Sequence, residues 1–331
     1  MKIDVFCHIM PPKFMEVLKQ RVPSASREIS RIASRPTMYD LDARFRLMDK
    51  YGEMVQVVTL TNSVTDMLPA GDSVELAKLA NDELAELTVK YPDRIVGAVA
   101  TLPMNDLDAA LEETDRAIRD LKLRGVQIDA SPNGEPLDMP KFIPLFEKMS
   151  QYNLPIWIHP QTVRAAPELP EAVVDISTLT ITFQWPYQTT MAMARLVYAG
   201  VFERYPNLKV ITHHCGAMVP FFAERIAYVY DNSQTTIGVR DRVYLSTHPI
   251  EYFRSFYTDT ALNGWAPGLM CGYQFFGPDH LLFATDFPHG PQFGDRFLRN
   301  TIRSVEEMDI PEADRRKIFA DNAKKLLRLG I

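Results

Sequence analysis

Four short apolar runs in this 331-residue chain each end in a side chain able to hold a metal ion or move a proton: Ile3 to His8, Pro155 to His159, Val210 to His214, and Leu281 to Asp286. Imidazole nitrogens and carboxylates are common ligands of catalytic divalent ions and common proton carriers. In a barrel of parallel strands the catalytic groups sit where strands end and loops begin, and these four positions match that placement. One such histidine alone would read as a hydrogen-bonded core residue. Four such positions in register are what a barrel rim requires.

Other polar residues divide into rim and background. His213, beside His214, is expected to face away if strand geometry persists, and to be structural. His289 follows Asp286 by three residues, where it either meets substrate or caps a loop, and Asp286 itself has an alternative reading as a helix N-cap. Thr61 and Asn62 follow the second strand run, where the Asn62 amide either orients a substrate oxygen or belongs to an ordinary turn. His248 and His280 are assigned no function.

The elements that must position these groups alternate along the chain, as βα units do. Strands are expected at Lys2–Phe6, Val55–Leu60, Ile95–Ala100, Gly125–Ile128, Pro155–Ile158, Leu208–Thr212, Ser255–Thr258 and Leu281–Ala284. Eight is the barrel number. A helix between the second and third is expected to start on an Asp72 cap with Glu75 as its capping-box partner, and another spans Leu107–Leu121. The C-terminal stretch from Pro311 to Leu329 carries helix punctuation, with Gly330 just past its end. Two segments are too long for simple connections: 9–39 after the first strand, with Lys13, Lys19, Arg21, Arg27, Arg31 and Arg35, and 161–205 after the fifth, with Phe183, Trp185 and Tyr187. Such insertions serve as lids or partner surfaces, or as helical padding. Their cations either attract a carboxylate substrate or are solvated charges.

Length and composition narrow the class. No linker divides the chain, so one domain over 1–331 is expected. A formal charge of −6 with scattered Lys and Arg argues against nucleic acid and for a small-molecule substrate. Cys7, Cys215 and Cys271 form no CxxC pair, which suggests a reducing compartment. No leader pattern or membrane-spanning run appears, so the cytoplasm is the expected location.

The runs DVFCHIMPP, PDRIVGAVATLP, PIWIHP, VFERYPNLKVITHHCGAMVPF, LLFATDFPHG and DNAKKLLRL, in this order, resemble the decarboxylase branch of the amidohydrolase superfamily, which includes aminocarboxymuconate semialdehyde decarboxylase and γ-resorcylate decarboxylase. The resemblance spans nearly the whole chain. It implies an α/β fold, a (β/α)₈ TIM barrel, with one divalent metal held by His8, His159 and Asp286, and with His214 as a catalytic group beside it. Zinc is the expected ion, with manganese or magnesium as alternatives, and a homodimer or homotetramer is the expected assembly. The first strand departs from the family's pattern of two ligands at i, i+2, because Phe6 stands where His or Glu is usual. Phe6 shares the His8 face and presents an apolar wall to the metal and substrate, while Cys7 points elsewhere.

The chemistry implied is the loss of CO₂ from a small hydroxylated aromatic or unsaturated carboxylic acid, a carboxy-lyase reaction. Asp286 would deliver a proton to the ring carbon if its surroundings raise its pKa, and His214 would hydrogen-bond the substrate or polarise a water. The same constellation supports hydrolysis or hydration of a ring-cleavage product. Phe6 also leaves open a non-catalytic barrel that has lost its metal.

Overall fold

The computed structural model describes residues 1–21, 30, 32–61, 68–161, 176–235 and 245–331. Among them are nine parallel strand segments: β1 (Lys2–Ile9), β2 (Met54–Leu60), β3 (Ile95–Ala98), β4 (Ala100–Thr101), β5 (Val126–Asp129), β6 (Pro155–His159), β7 (Lys209–Thr212), β8 (Tyr257–Asp259) and β9 (Leu281–Leu282). Pairing runs β1-β2-β3 and then β4 through β9 in chain order. Only Val99 separates β3 from β4, so together they make one barrel strand and the count returns to the expected eight.

The ring closes where β1 meets the stretch after β9. Val5 N donates to Phe283 O (3.0 Å), Asp286 N to Phe6 O (3.1 Å) and His8 N to Phe287 O (2.6 Å). This seam joins the two strand ends that carry His8 and Asp286. Helices pack outside, as a parallel sheet buried on both faces requires. Gly125 shows how tightly strands approach, because a Cβ there would lie 2.3 Å from the Pro155 carbonyl oxygen.

Two interiors separate by strand parity. Val5, Phe6, Trp157, Ile211, Leu282 and Ala284 pack together within the barrel. Cys7, Val58, Ile156, Ile158 and Val210 instead join the layer beneath the helices. Alternation is broken once in β1, where Asp4 pairs with Gln56 but Cys7 with Val58, leaving an extra residue on β1. This bulge lets Val5 and Phe6 both turn inward and keeps His8 on the inner face, as the sequence parity expects for Phe6 and His8.

Several boundaries differ from the sequence expectation. The helix expected to begin on Asp72 runs Ala70–Lys90 with Pro69 at its cap position, so Asp72 lies in its first turn. The next helix ends at Arg119, and Asp106 caps its start by accepting from Ala109 N at 3.1 Å. The C-terminal helix is three consecutive pieces, Glu312–Arg316, Lys317–Asp321 and Asn322–Leu327, closed by Arg328 in the left-handed region (φ 51°) rather than by Gly330. In the first long segment, the helix Pro12–Arg21 docks on Ala70–Lys90 through Lys13–Glu86 (3.2 Å) and through Arg21 to Asp72 and Glu75. Those cations therefore hold one helix to another. Arg27 and Arg31 lie outside the described residues.

Candidate metal centre and active site

At the end of β1, the His8 ring is fully buried and tethered on one side. Its Nδ1 lies 3.1 Å from Thr59 Oγ1 and 3.4 Å from Leu60 O on β2. Among the described residues its buried Nε2 has no hydrogen-bond partner, yet it sits 3.2 Å from Asp286 Oδ1. Two donor atoms so placed fit neighbouring corners of a coordination shell, since ligand distances of about 2.0–2.2 Å put adjacent ligands roughly 3–3.6 Å apart. The donor chemistry, a buried imidazole beside a partly exposed carboxylate, fits a divalent ion.

Arg44, from the helix Leu41–Met48, holds this strand end from outside the barrel. It donates to His8 O (2.8 Å), Thr37 O (3.2 Å) and Gln56 Oε1 (2.7 Å), and its guanidinium stands 4.8 Å from the centre of the Phe287 ring. One buried side chain thus touches the backbone of one donor residue and the neighbour of another.

Asp286 sits just beyond β9 with φ +60°, a conformation that side-chain-bearing residues adopt rarely and that here turns the carboxylate into the barrel mouth. Thr285, before it, is anchored by Asp4, which accepts from Thr285 Oγ1 (2.6 Å) and Thr285 N (3.1 Å). Burial by itself would push the Asp286 carboxyl up, but the imidazoles of His289, His8 and His214 hold it well below the usual carboxylate range. Its surroundings therefore do the reverse of what a resting proton donor needs. His289 N donates to Asp286 O (3.0 Å), and the tight turn brings the His289 ring 5.0 Å from that of His8. Ligand atoms of His8, Asp286 and His289 all lie within 4.8 Å of one another.

His159 ends β6 with its ring 5.4 Å from that of His8. Burial holds it well below the usual imidazole range, reinforced by His8 and His213. Trp185, from the long segment after β6, places its indole 6.3 Å from His159. The aromatic segment thus reaches the site through Trp185, whereas Phe183 and Tyr187 are exposed.

The end of β7 corrects the reading of His213. Ile211 faces the barrel interior, so His213 two residues on faces inward too; its ring stacks on Phe6 with centroids 3.4 Å apart. Its Nδ1 is 2.9 Å from Asp259 Oδ2, and Asp259 Oδ1 accepts from Cys215 N (3.2 Å) and Ala261 N (3.0 Å). The Phe6–His213 stack floors the site. His214 reaches the rim only because the chain leaves strand geometry: His214, Cys215, Gly216 and Ala217 all have positive φ. A Cβ on Gly216 would meet the Phe276 ring at 2.5 Å. His214 Nδ1 lies 2.9 Å from Ala261 O, so in the neutral ring Nδ1 is the donor and Nε2 the acceptor.

Four of the expected residues, His8, His159, His214 and Asp286, therefore converge at one barrel mouth with Phe6 beneath them, and His289 joins them. Asn62 lies outside the described residues. His248 caps the helix Pro249–Arg254 by accepting from Ile250 N, and His280 contacts Arg254 O at 2.7 Å, both away from the site. The inward turn of His213 leaves no mark in the residue pattern, because both faces of the strand are apolar.

A family profile described as Amidohydrolase matches residues 3–329. The chain is similar to gamma-resorcylate decarboxylase from Rhizobium, 29% identical over 300 residues that cover 87% of each protein. It is also similar to 2-amino-3-carboxymuconate-6-semialdehyde decarboxylase from Dictyostelium discoideum, 28% identical over 78% of this chain and 68% of that one. Among solved structures, a dihydroxybenzoic acid decarboxylase from Polaromonas with bound manganese and the inhibitor 2-nitroresorcinol superposes with a TM-score of 0.78, 26% identity, and coverage of 100% of this chain and 97% of that one.

Proposed function

Because this chain belongs to the amidohydrolase family, we propose that it is a metal-dependent, non-oxidative carboxy-lyase acting on a small hydroxylated aromatic acid. The observation that carries the reading is the pairing of buried His8 with partly exposed Asp286, two donor atoms 3.2 Å apart, at a rim shared with His159 and His214. The decarboxylases to which the chain is similar support the substrate class.

His8, His159 and Asp286 would hold the ion. The imidazole-rich donor set suits zinc, and manganese is bound in the Polaromonas structure. Such an ion would supply positive charge that offsets the negative charge of the substrate's oxygens.

The chain's own residues then account for the proton. Asp286 rests as a carboxylate, so the proton it delivers must arrive with the substrate. It takes the proton of the ring hydroxyl and returns it to the ring carbon bearing the carboxylate. The C–C electron pair then falls back into the ring as CO₂ leaves, and the phenolate product takes one proton from water. A depressed pKa makes protonated Asp286 scarce but a strong donor to carbon. His214 Nε2 accepts a hydrogen bond from a substrate hydroxyl or from water, and the Phe6 ring gives the aromatic substrate an apolar surface. Three free cysteines, Cys7, Cys215 and Cys271, support a cytoplasmic location.

CO₂ release across a panel of hydroxybenzoates, by protein expressed with excess zinc or manganese, tests the reading. At least one member should be turned over, and Asp286→Asn should slow it by about 100-fold or more. Turnover of an ester or lactone with no CO₂ from any acid would return the chain to hydrolysis.

A further inference from the structure

Phe6 offers carbon where its neighbour His8 offers nitrogen. Its ring packs edge-on against His8 with centroids 4.5 Å apart and is stacked from beneath by His213, so the inner side of the site is closed to any donor from position 6. On the outer side, the turn from Asp286 to His289 folds back through the 3.0 Å bond from His289 N to Asp286 O. That turn returns a second side chain to the place where its own first residue points. The result is the group whose donor atoms lie within 4.8 Å of one another: His8, Asp286 and His289.

We propose that His289 is a metal ligand, so that the loop after β9 supplies two donors, a carboxylate and an imidazole three residues apart, to the same divalent ion as His8. The proposal rests on the metal-dependent reading above and deepens it. Its physical basis is proximity without strand geometry. His289 is carried by the same short turn as Asp286, so a displacement of the loop moves both donors together and their separation is preserved. Two donors on one turn cost less to order than two on separate elements.

Metal binding can be measured apart from turnover. Wild type, His289→Gln and His8→Gln proteins are titrated with Zn²⁺ against a chromogenic chelator, and the Mn²⁺-loaded forms are examined by pulsed electron paramagnetic resonance, which counts coordinated imidazole nitrogens. His289→Gln should bind zinc more than about 100-fold more weakly, beyond the range that loss of an outer partner costs, and its Mn²⁺ signal should show one coordinated imidazole fewer than wild type. Circular dichroism checks that the variant is folded, and the nitrogen count on wild type alone provides a second reading that needs no variant. Equal affinity and an equal nitrogen count in wild type and His289→Gln would overturn the proposal, including the case in which only KM rises, which would make His289 a substrate contact. Wild type that takes up no stoichiometric metal would overturn the metal-dependent reading and this proposal with it. Metal lost on His8→Gln but kept on His289→Gln would leave that reading standing and remove His289 alone.

Discussion

At the residue scale, Phe6 is the side chain that sets the character of this site. Filling the inner face of the first strand with a benzene ring removes one polar donor and builds a floor from the Phe6–His213 stack at 3.4 Å. Replacement of Phe6 by His would restore a donor on the His8 face. We expect Phe6→His to bind zinc roughly tenfold or more tightly in a chelator titration, without necessarily turning over faster, because a fuller shell leaves fewer open positions for substrate. Equal or weaker binding would show that position 6 does not reach the ion. Phe6→Ala makes a different change, opening a cavity under His8 and His213, and should lower stability to urea by about 3–5 kcal/mol.

At the scale of elements, the site depends on a seam. β1 and the segment after β9 are joined by three backbone bonds and braced by two buried polar side chains, Arg44 from outside and Asp4 within the seam. Arg44→Met would leave the His8 and Thr37 carbonyls without their donor. A cost of about 1–3 kcal/mol per buried group is expected in urea unfolding, together with weaker metal binding. Asp4 gives the seam a pH dependence. Burial pushes its carboxyl up from 3.8 to about 7, against the lowering influence of the Thr285 hydroxyl and amide. The folded chain then keeps a proton that the unfolded chain releases between about pH 4 and pH 7, so Asp4 subtracts stability as the pH rises through that window, by at most about 1.4 kcal/mol per unit. His159 and His213, held low by burial, act in the opposite sense below their ordinary pKa of 6.5. The difference between wild type and Asp4→Asn isolates the carboxyl. The melting temperature of Asp4→Asn relative to wild type should climb from pH 4 to pH 7, and a flat difference would show that Asp4 does not titrate there.

At the scale of the molecule, the barrel is a ring whose mouth carries His8 and Asp286, so an ion bound between them would tie β1 to the segment that closes the ring. Binding to the folded state alone stabilises it by about 2.7 kcal/mol when the free ion stands at 100 times its Kd. Stripping the protein with a chelator should therefore lower its melting temperature by several degrees, and restoring zinc or manganese should recover it. Phe183, Tyr187, Phe221 and Tyr228 are exposed, and burying them between subunits would fit the expected homodimer or homotetramer. Light scattering coupled to size exclusion would give the subunit count. No helix among the described residues is long and apolar enough to cross a membrane.

How much was legible in the chain follows from what each signal depends on. Strand ends marked by His8, His159, His214 and Asp286 could be read because a buried parallel strand is a short apolar run, and a polar residue at its end stands out. The alternation of β-runs and helices gave the barrel by the same logic, and Phe6 and His8 were placed on one face by the two-residue period of a strand. Parity in β7 could not be read, because both faces are apolar and nothing distinguishes Ile211 from Val210 until the two are packed in different layers. The inward turn of His213 therefore came only from the tertiary structure, as did the left-handed turn that carries His214 to the rim. The low carboxyl of Asp286 likewise arises from imidazoles contributed by β1, by the turn after β7 and by its own loop. Sequence spacing fixes which residue types can meet along one strand. Which of them meet across the barrel, and with what charge, is decided by the bulge in β1 and by the seam that closes the ring.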